Sequence, residues 1–318
     1  MSTVSGVVYS DEAQIRLPLV HRFHPFDVRA HKRAYGALEI RYGSRLRVST
    51  FAPAEKAGVS ELLNVHSSGY IESLASGRTL ARAFGIAALR LIPPSIRRTR
   101  IIDPLLYGVK GTILAAELAL ERGVMFHIGG GFHHASSSTA EGSCIFADAA
   151  IAIQALRARH LLKNDDPILY IDLDAHRGNG VEEIFRSDPA VRILDVFNDD
   201  IYPGYIPGAS PSNWRLVPIR SGCADADYID LIKRELGGVL GRGWLPRFAV
   251  YNAGTDIVRG DPLGCLEVSP EGVARRDRLV IDALRERSVP TVVLASGGYS
   301  EMSHSLIART AAHILELD

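Results

Sequence analysis

The sequence has few cysteines, no excess of charge of either sign and no long apolar run. Its three cysteines, Cys144, Cys223 and Cys265, form no C-x-x-C pair, which argues against a disulfide framework and a thiolate zinc site. Lysine plus arginine number 36, as do aspartate plus glutamate, so no basic field for nucleic acid is visible. No apolar run approaches the ~18 residues of a membrane span, and residues 1–10 lack a signal-peptide pattern. We expect a soluble cytoplasmic protein with neither a nucleic-acid partner nor a membrane span.

Several common catalytic signatures are also missing. No G-x-S-x-G motif is present, and no cysteine has an obvious histidine near it in sequence, which argues against a serine or cysteine nucleophile. The triplet Gly129-Gly130-Gly131 lacks the spacing of a dinucleotide fingerprint and has no Lys-Ser/Thr after it, which argues against a phosphate loop.

From residue 124 onward, apolar runs typical of strands alternate with segments of helical periodicity. The predicted strands are 124–128, 168–174, 191–197, 248–252 and 291–295, and the helices between and after them are 147–162, 181–185, 226–236, 269–287 and 305–315. Before residue 124 we predict a strand at 7–9, a helix that ends near Tyr42, and helices at 66–76 and 104–122. We also predict loops at 93–100 and 198–218. The alternation predicts an α/β protein with a central, mostly parallel sheet flanked by helices, and a single domain over 1–318.

The most informative stretch follows the strand at 168–171. Asp172, Asp174 and His176 alternate, so on a strand their side chains would form one polar row. The row lies where a parallel sheet binds ligands, beyond the carboxyl end of a strand, and its side chains are zinc ligand types. Alone, the pattern is equally compatible with a helix cap and solvated residues.

Other predicted strands are also followed by polar groups. His133-His134 follow the glycine triplet, Asp256 follows Tyr251-Asn252-Ala253-Gly254-Thr255, and Tyr299 follows Ser296-Gly297-Gly298. Each alone favours a structural reading: exposed histidines, a turn or cap aspartate, a packed aromatic.

Metal-assisted hydrolysis would use all of these groups together. Asp174, His176 and Asp256 would bind a catalytic zinc that leaves one position open for water. One or two histidines would act as general base and acid, and a tyrosine hydroxyl would stabilise the oxyanion.

Four motifs resemble, in the same order, those of the zinc-dependent histone deacetylases of the arginase/deacetylase fold. They are Gly129-Gly-Gly-Phe-His-His134, Ile171-Asp-Leu-Asp-Ala-His-Arg-Gly-Asn-Gly180, Tyr251-Asn-Ala-Gly-Thr-Asp256 with Gly260-Asp-Pro-Leu-Gly264, and Ser296-Gly-Gly-Tyr299. Segments 24–27, 119–123, 195–198 and 201–204 also resemble the class IV branch of that family. The similarity runs from about residue 20 to the C-terminus.

The resemblance implies hydrolysis of an acyl-lysine amide and assigns roles by motif position. Asp174, His176 and Asp256 match the zinc ligands, and Tyr299 matches the oxyanion-binding tyrosine. His134 matches the general base and acid, His133 its electrostatic partner. Asp172 matches the acid that orients His133; with Asp174, His176 and Asp195 it would hold a monovalent cation, usually potassium. The acyl-lysine tunnel would be formed by Gly142, Ser143, Tyr202, Leu263 and Gly298.

Three positions depart from the common family pattern. Asn179 stands where many members carry an aspartate beside the second histidine, so we expect a His134 that stays neutral over a wide pH range. Ser143 stands at a tunnel position that is usually phenylalanine, which predicts a wider channel. Arg177 follows the zinc histidine where glutamine or histidine is commoner, and the sequence offers no account of it.

The substrate stays open between a protein carrying acetyl- or longer fatty-acyl-lysine and an acetylated polyamine or similar small amine. An acidic mouth would favour the polyamine, and a hydrophobic pocket the fatty acyl group. An inactive acyl-lysine-binding module is a third reading, against which the intact set of motif residues argues. Iron(II) is an alternative to zinc, because oxygen-rich ligand sets discriminate weakly between divalent ions. The oligomeric state is not determined.

Overall fold

The computed structural model describes residues 5–16, 29–204, 208, 210–241 and 243–317. Its centre is an eight-stranded sheet. The strands are β1 (Gly6–Val8), β2 (Thr50–Phe51), β3 (Val124–His127), β4 (Ile168–Asp172), β5 (Val191–Asn198), β6 (Arg215–Ile219), β7 (Phe248–Asn252) and β8 (Thr291–Leu294). Their order in the sheet is β2-β1-β3-β8-β7-β4-β5-β6, and every pairing of neighbours is parallel.

Helices connect the strands of this sheet. The α-helices are Ala30–Tyr42, Ser44–Arg47, Val59–Leu62, Ser68–Ser73, Gly77–Ala83, Pro94–Arg97, Asp103–Arg122, Asp148–Ala158, Asn179–Phe185, Asp225–Val239, Pro270–Glu286 and Ser303–Ile314. Short 3₁₀ segments lie at Asp11–Ala13 and Ala87–Leu91, and a π-helical turn lies at Arg98–Ile102. None of the helices described is both long and apolar enough to cross a membrane.

The central strands are apolar throughout because they are covered on both faces. In β4, Ile168 and Tyr170 pack into one hydrophobic core, whereas Leu169 and Ile171 pack into a second core on the opposite face. The same alternation occurs in β7. The first polar side chains, Asp172 and Asn252, therefore appear only where these strands end, and they pair in register.

The predicted α/β class with a parallel central sheet is confirmed, and the strand at 248–252 matches to the residue. Two predicted loops are wrong. Residues 215–219 form the edge strand β6, whose half-exposed sequence with Pro218 lacks the apolar run of a buried strand. Residues 94–102 are helical and lead directly into helix Asp103–Arg122. Pro94 does not prevent this, because proline is well accommodated at the first position of a helix.

Smaller differences concern element ends. The helix predicted at 66–76 is shorter, Ser68–Ser73, and a separate helix Gly77–Ala83 follows it. The segment 24–27, with its predicted cap at Asp27, lies outside the described residues.

Candidate active site

Four neighbouring strands, β3, β8, β7 and β4, carry the predicted site residues in the loops after their carboxyl ends. Asp172 pairs in register with Asn252, Asn252 with Leu294, and Leu294 with His127. All four strands are parallel, so the following loops meet at one edge of the sheet. The structure thus brings the histidine pair, the aspartates and Tyr299 together.

Asp174, His176 and Asp256 form a buried group of three possible metal ligands, with ligand atoms within 4.8 Å of one another. The Nδ1 atom of His176 lies 3.0 Å from Asp174 Oδ1 and 2.9 Å from Asp256 Oδ2. Two carboxylates and one imidazole thus converge on a common point.

Backbone and hydroxyl donors hold the two carboxylates in this arrangement. Asp174 Oδ2 accepts hydrogen bonds from Ser296 Oγ at 2.9 Å and from the N–H of Gly297 at 2.8 Å. Asp256 Oδ1 accepts the N–H of Ala175 at 2.9 Å. The remaining oxygens, Asp174 Oδ1 and Asp256 Oδ2, are those that face His176.

The charges of this group call for a cation at its centre. Burial and the neighbouring Asp174 charge raise the pKa of Asp256 to about 7. Burial alone would lower the pKa of His176, but hydrogen bonds and charge from Asp174 and Asp256 outweigh it and raise that pKa to about 10. The two buried carboxylates therefore favour a positive charge between them, as a divalent ion would supply.

His133 is held by Asp172, whose Oδ2 lies 2.9 Å from His133 Nδ1. Asn252 Nδ2 donates to the other oxygen of Asp172 at 3.0 Å. Burial opposes protonation of His133, but the charges of Asp172 and Asp174 outweigh it and raise the pKa of His133 to about 9. The two carboxylates therefore favour the protonated form of His133.

His134 has the opposite electrostatic environment. Its Nδ1 atom lies 2.7 Å from Asn179 Oδ1, so its partner is a neutral amide. Burial and the charge of His133, whose ring centroid is 4.1 Å away, hold the pKa of His134 well below its usual range. The two adjacent histidines thus differ in charge, and His134 is available as a base.

Gly142 lies directly against the His134 ring. Its φ is +51°, and a Cβ atom there would lie 2.2 Å from His134 Cδ2. Only glycine fits this close approach.

Tyr299 and both histidines line a cavity together with Asp174, Gly142 and Ser143. The apolar side chains that line it include Ile15, Phe84, Leu105 and Phe132. Burial and the charge of Asp174 keep the pKa of Tyr299 well above its usual range, so its hydroxyl stays protonated.

The other predicted tunnel residues, Tyr202, Leu263 and Gly298, do not line this cavity. Tyr202 lies beside Ser143 in an adjoining groove, and its ring centroid is 5.3 Å from that of His134. Leu263 donates its N–H to Asp261 at 3.0 Å.

Asp195 lies next to Asp172 on the neighbouring strand, and both are fully buried. Asp195 Oδ2 accepts the N–H of Gly178 at 2.9 Å, whereas its Oδ1 has no hydrogen-bond partner among the described residues. Burial and the Asp172 charge raise the pKa of Asp195 well above its usual range. A buried carboxylate oxygen without a partner is a feature expected of a cation site.

Arg177 now has a structural explanation. Its Nε and Nη2 atoms donate to the two carboxylate oxygens of Glu182 at 2.7 and 2.6 Å, and its guanidinium lies 5.3 Å from the Phe197 ring centroid. Its contact with Glu182 braces the loop after His176.

Two supporting acids were missed in the sequence. Asp261 accepts the N–H groups of Tyr299 and Ser300 at 2.7 and 2.9 Å, which positions the tyrosine. Asp148 accepts those of Gly131 and Phe132 at 3.0 and 2.8 Å, which fixes the loop before His133. Asp261 stands inside the quoted Gly260–Gly264 motif, but nothing in the sequence connects Asp148 to that loop.

Comparison with known proteins gives a consistent result. The family described as "Histone deacetylase domain" matches residues 24–315. Histone deacetylase 2 of Arabidopsis thaliana is 37% identical over 308 residues, 97% of this chain and 78% of the plant protein. An uncharacterized protein of Picosynechococcus is 31% identical over 245 residues, 77% of each chain. The crystal structure of the HDA15 HD domain has a TM-score of 0.78 at 22% identity, covering 98% of this chain and 88% of that one, a likeness of fold alone.

Proposed function

This chain belongs to the histone deacetylase family and is a hydrolytic deacetylase, and we propose that it cleaves N-acyl-lysine with a water molecule activated at Asp174, His176 and Asp256. The convergence of these three groups beside His134 and Tyr299 in one cavity carries the proposal. Because two buried carboxylates and one imidazole meet within 4.8 Å of one another, the residues fit a divalent metal.

The proposed metal is zinc, with iron(II) as the alternative. One imidazole and two carboxylates are accepted by both ions. When bound, the metal would lower the pKa of the attacking water and polarise the acyl carbonyl.

The residues around the ligand group would divide the proton chemistry between them. His134, kept neutral by burial and by the charge of His133, would take the proton of the water and pass it to the leaving amine. His133, oriented by Asp172, would contribute a fixed positive charge. Tyr299 would donate its hydroxyl proton in a hydrogen bond to the developing oxyanion.

We also propose a structural potassium ion near Asp172 and Asp195, with the backbone around His176 completing the site. The partnerless Oδ1 of Asp195 supports it, because two adjacent buried carboxylates are costly without a cation. An ion there would support Asp172 and, through it, the orientation of His133.

The apolar lining of the cavity favours an acyl-lysine substrate, including longer acyl chains, over an acetylated polyamine. Ile15, Leu105 and Phe132, which line the cavity, would provide apolar surface for an alkyl chain. We further propose, from the motif resemblance, that the chain belongs to the class IV branch and forms a single catalytic domain over residues 1–318.

We also propose a cytoplasmic location, which the three free cysteines support.

The test is turnover of one peptide carrying acetyl-, butyryl-, octanoyl- or myristoyl-lysine, with acetylputrescine alongside. Tyr299→Phe is the control, with metal content measured on both proteins. We expect peptide turnover by the wild type and its loss in Tyr299→Phe with metal retained. Turnover confined to acetylputrescine would move the assignment to a small-molecule amidohydrolase. Bound metal without any turnover would instead favour an acyl-lysine-binding module.

A further inference from the structure

Glu141 lies near the NH₂ end of the Asn179 amide, whereas the oxygen of that amide faces His134. Its Oε2 accepts a hydrogen bond from Tyr202 Oη at 2.9 Å and a longer one, at 3.5 Å, from Asn179 Nδ2. The other end of the same amide, Asn179 Oδ1, lies 2.7 Å from His134 Nδ1. A path of polar contacts therefore joins Tyr202, Glu141 and Asn179 to His134.

An asparagine beside a histidine cannot by itself decide which ring nitrogen carries the proton. With Oδ1 toward His134, the amide accepts a hydrogen bond from Nδ1–H, so the proton stays on Nδ1 and Nε2 is free. With the amide reversed, its NH₂ group would donate to Nδ1, and the proton would move to Nε2. An aspartate has no such second orientation, because both of its oxygens are acceptors.

The carboxylate of Glu141 removes this ambiguity. It attracts the NH₂ end of Asn179, whereas a reversed amide would set its carbonyl oxygen against a carboxylate oxygen. We propose that Glu141 is a positioning residue that orients the Asn179 amide, keeps the His134 proton on Nδ1 and leaves Nε2 free to act as the base. This inference rests on the proposed role of His134.

Two features hold Glu141 in place for this task. The N–H of Cys144 donates to the backbone oxygen of Glu141 at 2.7 Å, closing a tight turn in which Gly142 and Ser143 have φ values of +51° and +64°. Burial and the hydrogen bond to Glu141 raise the pKa of Tyr202, so its phenol remains a donor to the carboxylate.

The direct test is the tautomer of His134, observed by ¹⁵N NMR of the purified protein and assigned with a His134 variant. We expect an Nδ1–H imidazole in the wild type and a rise in the Nε2–H form in both Glu141→Ala and the isosteric Glu141→Gln. Glu183→Gln is the matched control, because Glu183 braces the same loop through Ser137 N and Oγ at 3.0 and 2.9 Å. This control should leave the His134 signals unchanged.

The kinetic test compares two backgrounds. Glu141→Ala should lower kcat by about tenfold with little change in KM, since a wrong tautomer removes part of the ~10²–10⁴-fold contribution of a positioned general base. In an Asn179→Asp background the same substitution should cost no activity, because the carboxylate already requires Nδ1–H. Equal losses in both backgrounds, or an unchanged tautomer in Glu141→Ala, would overturn the proposal while leaving the deacylase assignment intact. Absence of deacylase activity in the wild type would overturn the proposed function and the role of His134 as a base. The NMR experiment would still decide whether Glu141 sets the tautomer of His134.

Discussion

Arg276 Nη1 donates to the carbonyl oxygen of Gly254 at 2.6 Å, two residues before Asp256. The same nitrogen donates to Leu173 O at 3.0 Å, one residue before Asp174. Arg276 is fully buried and pairs with Asp277 at 2.8 Å. One side chain on helix Pro270–Glu286 therefore ties together the two loops that carry the aspartates of the proposed metal site.

Replacing this arginine should weaken both the fold and the metal group. Arg276→Met removes the guanidinium donor from three buried carbonyls, those of Leu173, Ala253 and Gly254, and leaves Asp277 without its counter-charge. We therefore expect a loss of about 3–5 kcal/mol in the free energy of unfolding. Urea denaturation measures it, with Arg278→Met on the same helix as control. A loss below about 1 kcal/mol would show that water replaces the guanidinium.

Removing one ligand charge should release the metal without unfolding the protein. In Asp256→Asn we expect metal affinity to fall by more than the ~10–100-fold that is typical of losing a residue that hydrogen-bonds to a metal ligand. Metal content per chain after dialysis, read by mass spectrometry, reports this. Asp230→Asn, at an exposed site, should retain wild-type metal content. Full occupancy in Asp256→Asn would place the metal elsewhere.

The pH dependence should report the neutral partner of His134. In Asn179→Asp a carboxylate replaces the amide oxygen 2.7 Å from Nδ1 and stabilises protonated imidazole, which raises the pKa of His134. A base must be deprotonated to act, so the acidic limb of the kcat/KM profile should move to higher pH. An unmoved limb would mean that another group controls it.

Ser143 should influence acyl-chain preference. It lines both the catalytic cavity and the adjoining groove, beside Phe84 and Tyr202. Phenylalanine would fill this space, so Ser143→Phe should lower kcat/KM for octanoyl- and myristoyl-lysine by about tenfold relative to acetyl-lysine, equivalent to ~1.4 kcal/mol. Ser143→Ala controls for loss of the hydroxyl, and an unchanged ratio in Ser143→Phe would refute a role in chain length.

The sequence by itself determined the parallel α/β sheet, because apolar strands buried on both faces leave an unambiguous alternation with helices. It also placed Asp174, His176, Asp256, His134 and Tyr299 after strand ends, since polar residues there interrupt that pattern. It did not predict β6, whose half-exposed edge position requires no apolar run.

Only the tertiary structure decided how these groups act on one another. Burial and neighbouring charge separate the pKa values of two adjacent histidines in opposite directions, and neither burial nor neighbour can be read from His133-His134. The approach of Glu141 to Asn179, 38 residues apart in sequence, and of Arg276 to Leu173, 103 residues apart, arises from packing of distant segments. Long-range contacts of this kind depend on three-dimensional distance, which local residue patterns do not encode.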